Sequence, residues 1–435
     1  MTRRRWLSHP RTVVAPSHLP SQPSVPRIKV LHVITKFSTG AGGNTLLTAT
    51  EMDANRYEMW VAACTQGPPW ERPLWDRAEQ AGVRTYRLPR LEERLSPAND
   101  LVVLLQLIRL IRRERFTIVH THTAKAGFLG RIAARLCGTP VVVHTFHSFP
   151  FHDFMSGSRR SFYLFLERRV RRLTNTFLAV SPAVAGEAVV RKLAPPGGVS
   201  VAPSAVELDS ITGRSDSDVR RDLGIPPNVP LVGTVGRIDF QKAPLDFVRM
   251  AALVAARRPA TRFVMVGDGP LMDDVVSEAR HLSVDVMLTG FREGAERLAA
   301  GFDVFVVSSL YEGLGRALTE ALASGCPVVA TAVNGVPDLV VPGATGLLAF
   351  PGNPESLATS VLWLLDHPVE ARQMARQGRD LVFETFGAQT MCRLIDETYC
   401  RLLGLPVPED PAPGERVIDL SDGVSHAPRR QPSSS

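Results

Sequence analysis

Two carboxylates, Glu312 and Glu320, lie eight positions apart in the segment EGLGRALTE. The apolar run at 302–309 predicts a buried strand before this segment, and the helix formers after it predict a helix that ends near 325–327. The free N–H groups at the start of such a helix can bind a diphosphate, and a carboxylate at each end can accept hydrogen bonds from hydroxyl groups. A nucleotide sugar has this order of groups: sugar, diphosphate, ribose. A helix whose first-turn acid is simply solvated gives the same pattern.

A glycine-rich loop, STGAGGN at 38–44, follows the apolar segment RIKVLHVIT. Gly42 and Gly43 in this loop would let backbone N–H groups approach a phosphate closely. The spacing of the glycines matches neither the dinucleotide fingerprint nor the phosphate-binding loop of nucleoside triphosphatases. A tight turn that binds no ligand explains the glycines as well.

Two cations occur in GRIDFQK at 236–242, directly after the strand-like segment LVGTV. Arg237 could bind a diphosphate through two hydrogen bonds, and Lys242 could act on it as a point charge. Two solvated loop cations would look the same in the sequence. The glycine turn VGDGP at 266–270 is a weaker sign of a close backbone approach to a nucleotide.

Several histidines lie near the ends of two successive predicted strands, FTIVHTHT and PVVVHTFH. They are His120, His122, His144, His147 and His152. No cysteine accompanies them and no H-E-x-x-H helix is present, so we expect no metal site. The ring of His147, at the end of its strand, is expected to face a cleft and to hydrogen-bond a reacting sugar or a phosphate. Histidines of this kind also serve to pack a core or to orient loops.

Strand-like and helix-like segments alternate from residue 27 to about residue 403. This alternation predicts an α/β fold with two Rossmann-like domains, each built on a doubly wound parallel sheet, that face one cleft. Because the motifs above follow strands, we expect them at the carboxyl ends of the sheets, where such folds bind ligands. The predicted boundaries are 1–26 (disordered tail), 27–200 (first domain), 201–386 (second domain), 387–404 (helix crossing back to the first domain) and 405–435 (disordered tail).

The net charge of +7 conceals an asymmetry along the chain. Residues 1–26 hold 4 basic and 0 acidic side chains, residues 27–200 hold 25 and 13, and residues 201–435 hold 21 and 30, which gives balances of +4, +12 and −9. A basic first domain favours an anionic partner, either a membrane surface or a phosphate-bearing acceptor. A generally arginine-rich composition would give the same balance. Because no interleaved aromatic motif of the RNA-binding type occurs, we expect no nucleic-acid partner.

The composition also bears on the compartment of the protein. No run of about 18 uncharged apolar residues occurs, and the first 26 residues lack the apolar stretch of a signal peptide. The five cysteines are odd in number and scattered, which is typical of reduced thiols in a cytoplasmic protein. The arginine-rich segment 158–173 has an apolar stripe that fits an interfacial membrane helix and a helix packed into the domain equally well. We therefore expect a cytoplasmic protein, and peripheral contact with the inner face of the plasma membrane stays open.

The ordered set of motifs resembles the retaining glycosyltransferases of family 4, which have the GT-B fold. The resemblance covers about residues 27–400 and rests on STGAGGN, TFH, GRIDFQK, VGDGP, SSLYEGLGRALTE and NGVPDLVVPGATGLL. The segments HTHTAKAGFLGRIAARL and HTFHSFPFHDF are similar to those of members that build cell-surface or exopolysaccharide repeat units. The resemblance implies that the first domain binds the acceptor and the second domain binds the nucleotide sugar.

The resemblance also implies a role for each candidate site residue. Glu312 would contact hydroxyl groups of the donor sugar, Glu320 would bind the ribose, and His147 would lie beside the sugar. The donor diphosphate would be bound by Gly42, Gly43, Arg237, Lys242, Gly313, Leu314, Gly315 and Arg316. Leu314 stands where an aromatic residue is usual, and the segment 334–338 departs from the usual two glycines before a proline and a glutamate. Neither departure removes a charged contact.

The expected reaction is transfer of a hexosyl unit from a nucleoside diphosphate sugar to a lipid-linked or saccharide acceptor, with retention of anomeric configuration. No metal and no other cofactor is expected. The resemblance implies a role in polysaccharide or cell-envelope glycan synthesis, and an undecaprenyl diphosphate-linked acceptor would give the basic first domain a purpose. The alternatives are a nucleotide-sugar epimerase, a phosphorylase and a non-catalytic nucleotide-sugar-binding protein, each of the same fold.

Overall fold

The computed structural model describes residues 26–38, 40–65, 72–149, 151–152, 154–211 and 216–407. Its strands are β1 (Ile28–Lys36), β2 (Tyr57–Cys64), β3 (Arg84–Arg87), β4 (Ile118–His122), β5 (Val141–Phe146), β6 (Thr176–Ala179), β7 (Val199–Val201), β8 (Leu231–Val235), β9 (Arg262–Val266), β10 (Val286–Leu288), β11 (Val304–Val307), β12 (Val328–Thr331) and β13 (Leu347–Ala349). The two predicted disordered tails lie outside the described residues, apart from residue 26 and residues 405–407.

The helices connect these strands and cover the sheets. They are α1 (Ala41–Glu51), α2 (Arg72–Gln80), α3 (Pro97–Glu114), α4 (Ala124–Leu136), α5 (Gly157–Val170), α6 (Pro182–Val190), α7 (Leu208–Ile211), α8 (Asp216–Asp222), α9 (Pro244–Arg257), α10 (Met272–His281), α11 (Arg316–Ala323), α12 (Pro354–Asp366), α13 (Pro368–Thr385) and α14 (Ala388–Leu403). Short 3-10 helices occupy 171–173, 240–242, 295–301 and 336–338.

The strands form two parallel sheets. The first has the order β3-β2-β1-β4-β5-β6-β7 and the second has the order β10-β9-β8-β11-β12-β13. In each sheet the chain moves outwards from a central strand and then returns to build the other half, so a switch in direction lies between β1 and β4 and between β8 and β11. The prediction of an α/β fold with two doubly wound parallel sheets is confirmed.

Strands β4 and β5 of the first sheet are buried along their whole length. Strands β4 (IVHTH) and β5 (VVVHTF) have no exposed residue, as expected of apolar strands with helices on both faces. They nevertheless carry three of the histidines. Because burial of a polar ring without a partner is costly, these side chains must find hydrogen bonds inside the domain.

The last helix, α14, follows the second domain in the chain but packs on the first. Its buried residues Met391, Ile395 and Tyr399 belong to a cluster with core residues of β1, β2 and α1. Arg56 forms an ion pair with Asp396 of this helix at 3.0 Å. Strand β7 ends at Val201, one residue beyond the predicted limit of the first domain. The other predicted boundaries stay predictions.

Candidate active site

The candidate site lies where the carboxyl ends of the two sheets meet. A cleft that is partly open to solvent runs along the second domain. Its lining includes Arg237, Lys242, Ser309, Glu312 and Gly315. Residues from two separate motifs of the sequence, GRIDFQK and SSLYEGLGRALTE, are therefore close to one another in space.

Glu312 is buried and bonded on several sides. Its carboxylate accepts hydrogen bonds from Lys242 Nζ and from Ser309 Oγ, the latter at 2.8 Å. The side-chain amide of Gln241 lies 3.4 Å from the second carboxylate oxygen of Glu312. The backbone N–H of Glu312 donates to the side-chain oxygen of Asn334 at 3.0 Å. The carboxylate is thus held in one position by side chains from two loops, and a third loop binds the backbone of Glu312.

The two predicted diphosphate-binding cations differ in their surroundings. Lys242 is partly buried and paired with Glu312, whereas the Arg237 side chain is 61% exposed and pairs with Asp239 at 2.9 Å. Asp239 also caps the 3-10 turn by accepting from the N–H of Lys242 at 3.3 Å. Each cation is therefore matched by a carboxylate, and an added anion must compete with that carboxylate or draw the cation away from it.

The start of α11 provides unpaired donors beside Glu312. Gly315 caps the helix with φ +95°, a backbone conformation that favours glycine. The N–H groups of Gly313, Leu314 and Gly315 have no hydrogen-bond acceptor among the described residues. The Leu314 side chain is buried in an apolar cluster that contains residues of both domains. Replacement of the usual aromatic residue there therefore concerns packing, and the backbone N–H stays available to a ligand.

Glu320 lies one turn further along α11 and is also buried. Arg316 donates to its carboxylate from Nε at 2.7 Å. Burial raises the pKa of Glu320, and the neighbouring Arg316 opposes that rise. The Arg316 guanidinium extends to the first domain, where a Cβ atom added at Gly43 would lie 2.5 Å from Nη1. Of the two predicted loop glycines, Gly43 thus contacts Arg316 across the cleft, whereas Gly42 packs on the backbone of Phe37.

His147 follows β5 and reaches the second domain through its backbone. A Cβ atom added at Gly313 would lie 1.8 Å from the His147 carbonyl oxygen, so the two loops touch without an intervening side chain. The His147 ring lies deeper, with Nε2 at 2.9 Å from His122 Nδ1. Burial lowers the pKa of His147 to about 4. The imidazole is therefore neutral at pH 7 and can take part in hydrogen bonds but not in charge pairing.

The other histidines of the first sheet are also buried and hydrogen-bonded. His120 bonds Tyr399 and Thr145 at 2.7 Å each, and His144 bonds Thr121 at 2.9 Å. Burial lowers the pKa of His120, His122 and His144 well below the usual range for histidine. Ring nitrogens of His32, His120 and His122 lie within 4.8 Å of one another, close enough to consider one metal ion. The expected absence of a metal site stays a prediction.

A second set of contacts joins the two domains beside the site. Asp338 accepts from the backbone N–H of Ala183 at the start of α6 at 2.9 Å, and Asn334 donates to Glu187 at 3.2 Å. Asn334 and Asp338 belong to the segment 334–338, which departs from the family pattern, and both side chains make polar contacts with the first domain. Sequence reasoning missed Ser309, Gln241 and the contact roles of this segment, since no residue spacing indicates which loops become neighbours.

The comparisons with known proteins agree with this arrangement. Residues 39–205 match the family described as "Glycosyl transferase 4-like domain", and residues 229–367 match "Glycosyl transferases group 1". The chain is 32% identical over 334 residues to the UDP-Gal:alpha-D-GlcNAc-diphosphoundecaprenol alpha-1,3-galactosyltransferase of Escherichia coli, covering 75% of this chain and 86% of that protein. It is 30% identical to the 2-deoxystreptamine glucosyltransferase of Streptomyces kanamyceticus, covering 75% of this chain and 90% of that protein.

Solved structures of other proteins have the same fold. The crystal structure of Anabaena HepE in complex with UDP-glucose superposes with a TM-score of 0.72 at 20% identity, covering 86% of this chain and 100% of that chain. The relatives span both domains, and their family description agrees with the order of the motifs around the cleft. The chain belongs to the family 4 glycosyltransferases, and its two domains have the GT-B arrangement.

Proposed function

We propose that this protein transfers a hexosyl unit from a nucleoside diphosphate sugar with retention of anomeric configuration. The observation that carries the proposal is the position of Glu312, fixed by Lys242 and Ser309 directly before the unpaired N–H groups of α11. Sugar hydroxyls would bind the carboxylate, and the diphosphate would bind the helix start and the two nearby cations. Glu320, one turn further, would bind the ribose.

The main electrostatic task of the site is to stabilise the negative charge that develops on the departing diphosphate. Lys242, Arg237 and the start of α11 place positive charge there, so the proposal assigns leaving-group stabilisation to the protein rather than to a metal ion. Among the described residues that line the cleft, Glu312 is the only carboxylate, and it is already held by Lys242 and Ser309. A same-face reaction therefore fits better than a covalent intermediate. The acceptor oxygen forms its bond to the anomeric carbon as the bond to the diphosphate breaks, and the acceptor proton passes to a diphosphate oxygen.

The acceptor we propose is a saccharide linked to undecaprenyl diphosphate. The Escherichia coli relative is named for an acceptor of this kind and shares 32% identity with this chain. The balance of +12 over residues 27–200, from 25 basic and 13 acidic side chains, would attract such an anion. With this acceptor, the protein would take part in the synthesis of a cell-envelope glycan on the cytoplasmic side of the membrane. No disulfide joins any of the five cysteines, all of which lie in described residues, which fits a reducing compartment.

A donor panel tests the proposed reaction. We expect release of nucleoside diphosphate from one nucleoside diphosphate hexose that depends on added GlcNAc-diphospho-undecaprenol and is unchanged by EDTA. The anomeric proton coupling of the product should match that of the donor sugar. Glu312→Gln should lower kcat/KM on the order of 100-fold, since it removes the charge that orders the sugar hydroxyls.

Glu370→Gln is the matched control. It replaces an exposed carboxylate of α13 by a carboxamide and should leave the rate unchanged. Conversion of the donor into its epimer without an acceptor would instead identify an epimerase. Donor binding without release of nucleoside diphosphate would identify a binding protein, and an inverted product would contradict retention.

We also propose that α5 touches an anionic membrane surface. One face of this helix packs on the domain through Tyr163, Leu164 and Val170, as one of the two sequence interpretations expected. The opposite side leaves Phe162 and Phe165 about half exposed, next to arginines of the same helix. Apolar rings beside cations fit the interfacial region of a bilayer. Within the described residues, no helix is long and apolar enough to cross a membrane.

Vesicle flotation tests this contact. We expect the protein to float with vesicles that contain anionic phospholipid at low salt, and to be released at high salt, because screening weakens the arginine contribution. The double variant Phe162→Ser, Phe165→Ser should bind about tenfold more weakly, whereas Phe350→Ser, at an exposed ring of the second domain, should bind normally. Equal flotation of all three proteins, or none by the wild type, would refute the contact.

A further inference from the structure

Three imidazoles, those of the fully buried His32 and His122 and of the half-buried His147, form a continuous chain that ends at the loop in contact with Gly313. His32 Nδ1 lies 2.9 Å from His122 Nε2, and His122 Nδ1 lies 2.9 Å from His147 Nε2. The outer nitrogen of His147, Nδ1, has no protein partner among the described residues. At the far end, His32 Nε2 is buried and also lacks a partner. We call this chain the imidazole relay.

Hydrogen bonds explain the spacing of these rings better than a metal ion does. Two histidine nitrogens that bind one tetrahedral zinc, each at about 2.0–2.1 Å, lie roughly 3.4 Å apart. Each contact in the relay is 2.9 Å, which is an ordinary hydrogen-bond length. His120, the third ring of the possible metal group, already uses both of its nitrogens on Tyr399 and Thr145. The rings of the relay are thus expected to share protons rather than an ion.

Neutral rings allow only two arrangements of protons. Burial lowers the pKa of His32 to about 3 and of His147 to about 4, so each ring carries a single N–H at pH 7. If the N–H groups point towards the cleft, His147 presents Nδ1–H to the site and His32 Nε2 is left as a bare lone pair. If they point inwards, His32 Nε2 carries a buried N–H that has no acceptor. Buried donors without an acceptor are the rarer defect in native proteins.

The site itself favours the same direction. Three imidazole dipoles aligned towards the cleft polarise one another and place their positive end where the departing diphosphate becomes more negative. We propose that His122 and His32 are positioning residues that hold His147 in the Nδ1–H tautomer, as a neutral hydrogen-bond donor to the sugar diphosphate. This inference rests on the proposed transfer reaction. It assigns the two inner histidines a part in the reaction, although they are too deeply buried to touch the substrate.

The tautomer can be measured without any activity assay. In protein labelled with ¹⁵N-histidine, we expect His147 and His122 to be protonated on Nδ1 and bare on Nε2 at pH 7. The resonances are assigned by their loss in His32→Asn, His122→Asn and His147→Asn. A proton on His147 Nε2 would overturn the proposal, as would a stoichiometric metal ion in the purified protein by elemental analysis.

Kinetics separate a positioning role from simple packing. We expect His122→Leu to lower kcat about 10- to 100-fold with little change in the KM for the donor, because the contact acts mainly in the transition state. His122→Asn, whose amide can still donate to His147 Nε2, should recover at least tenfold of that loss. His281→Leu, at an exposed histidine that ends α10, is the control and should behave as the wild type.

Other outcomes have distinct meanings. Equal activity of the folded Leu and Asn variants at position 122 would show that the ring only fills space, which overturns the proposal. If His122→Leu does not fold, the same comparison is made at position 32 with His32→Leu and His32→Asn. If the wild type transfers no sugar at all, the proposed function fails, while the measured tautomer still decides whether the relay exists as described.

Discussion

Lys242→Met is expected to lower kcat/KM on the order of 1000-fold, the largest loss from any single charge in the site. The methionine keeps the apolar stem of the lysine but removes the ammonium group that pairs with Glu312 and faces the proposed diphosphate. A charge placed where the leaving group becomes negative acts in a partly buried cleft, where it contributes more than it would in water. Steady-state rates of nucleoside diphosphate release measure the effect.

A double variant distinguishes two reasons for that loss. Lys242 could act on the diphosphate, or it could serve only to neutralise the buried Glu312. If it acts on the diphosphate, adding Glu312→Gln to Lys242→Met gives no recovery of activity. Recovery to the level of the Glu312→Gln single variant would contradict the diphosphate role, since the two residues would then act as one unit.

Lys29→Met is the matched control for this experiment. Lys29 also forms a half-buried ion pair, with Glu114 at 3.3 Å, but it lies near the start of β1 at the edge of the sheet opposite the cleft. The control removes a comparable charge pair and should keep full activity. A similar loss in the control would attribute the effect of Lys242→Met to a general change in stability, which thermal unfolding of both variants records.

Gly313→Ala is expected to lower kcat about 100-fold while the protein stays folded. The backbone of Gly313 is not in the left-handed region, so alanine fits its conformation. The added Cβ, however, would lie 1.8 Å from the carbonyl oxygen of His147 in the other domain. The two loops must then move apart by about 1 Å or more, and a displacement of that size at a reacting centre costs about 100-fold in rate.

Gly186→Ala provides the control for the glycine experiment. Gly186 lies within α6, and a Cβ atom there would meet nothing within 4 Å. The alanine should leave the rate unchanged and stabilise the helix slightly. Full activity of Gly313→Ala would show that the two domains need not be in contact at this point during the reaction.

The sequence predicted the fold because the relevant signals are local. Buried runs such as FDVFVVSS and the alternation with amphipathic helices identify parallel strands without knowledge of their partners. The segments 244–257 and 354–366, each between two such strands, form the helices α9 and α12. Helix α2 and strand β3 were not predicted, because RPLWDRAEQ and RTYR are short, polar and at the edge of the first sheet. Such segments contain too few apolar residues to be recognised as buried elements.

The candidate site was predictable only in part, for a related reason. The positions of the motifs after strands predict which loops reach the cleft, so the sequence identifies Lys242 and Glu312 as site residues without indicating that they are in contact. The contacts themselves depend on how loops from different strands come together. They are the pairing of Lys242 with Glu312, the hydrogen bonds from Ser309 and Gln241, and the approach of Gly313 to His147. A spacing along the chain contains no information about those distances.

The histidines show most clearly which properties follow from the sequence and which depend on the tertiary structure. The sequence by itself determined that they lie at the ends of β4 and β5, since strand periodicity is a local property. It could not determine that His32, 90 positions before His122, supplies the third ring, because the two strands become neighbours only through the parallel pairing of β1 with β4. The tertiary structure decided the order of the imidazoles, their burial and therefore their neutral charge. These properties depend on which groups exclude water around each ring, and that is fixed only when the whole domain packs.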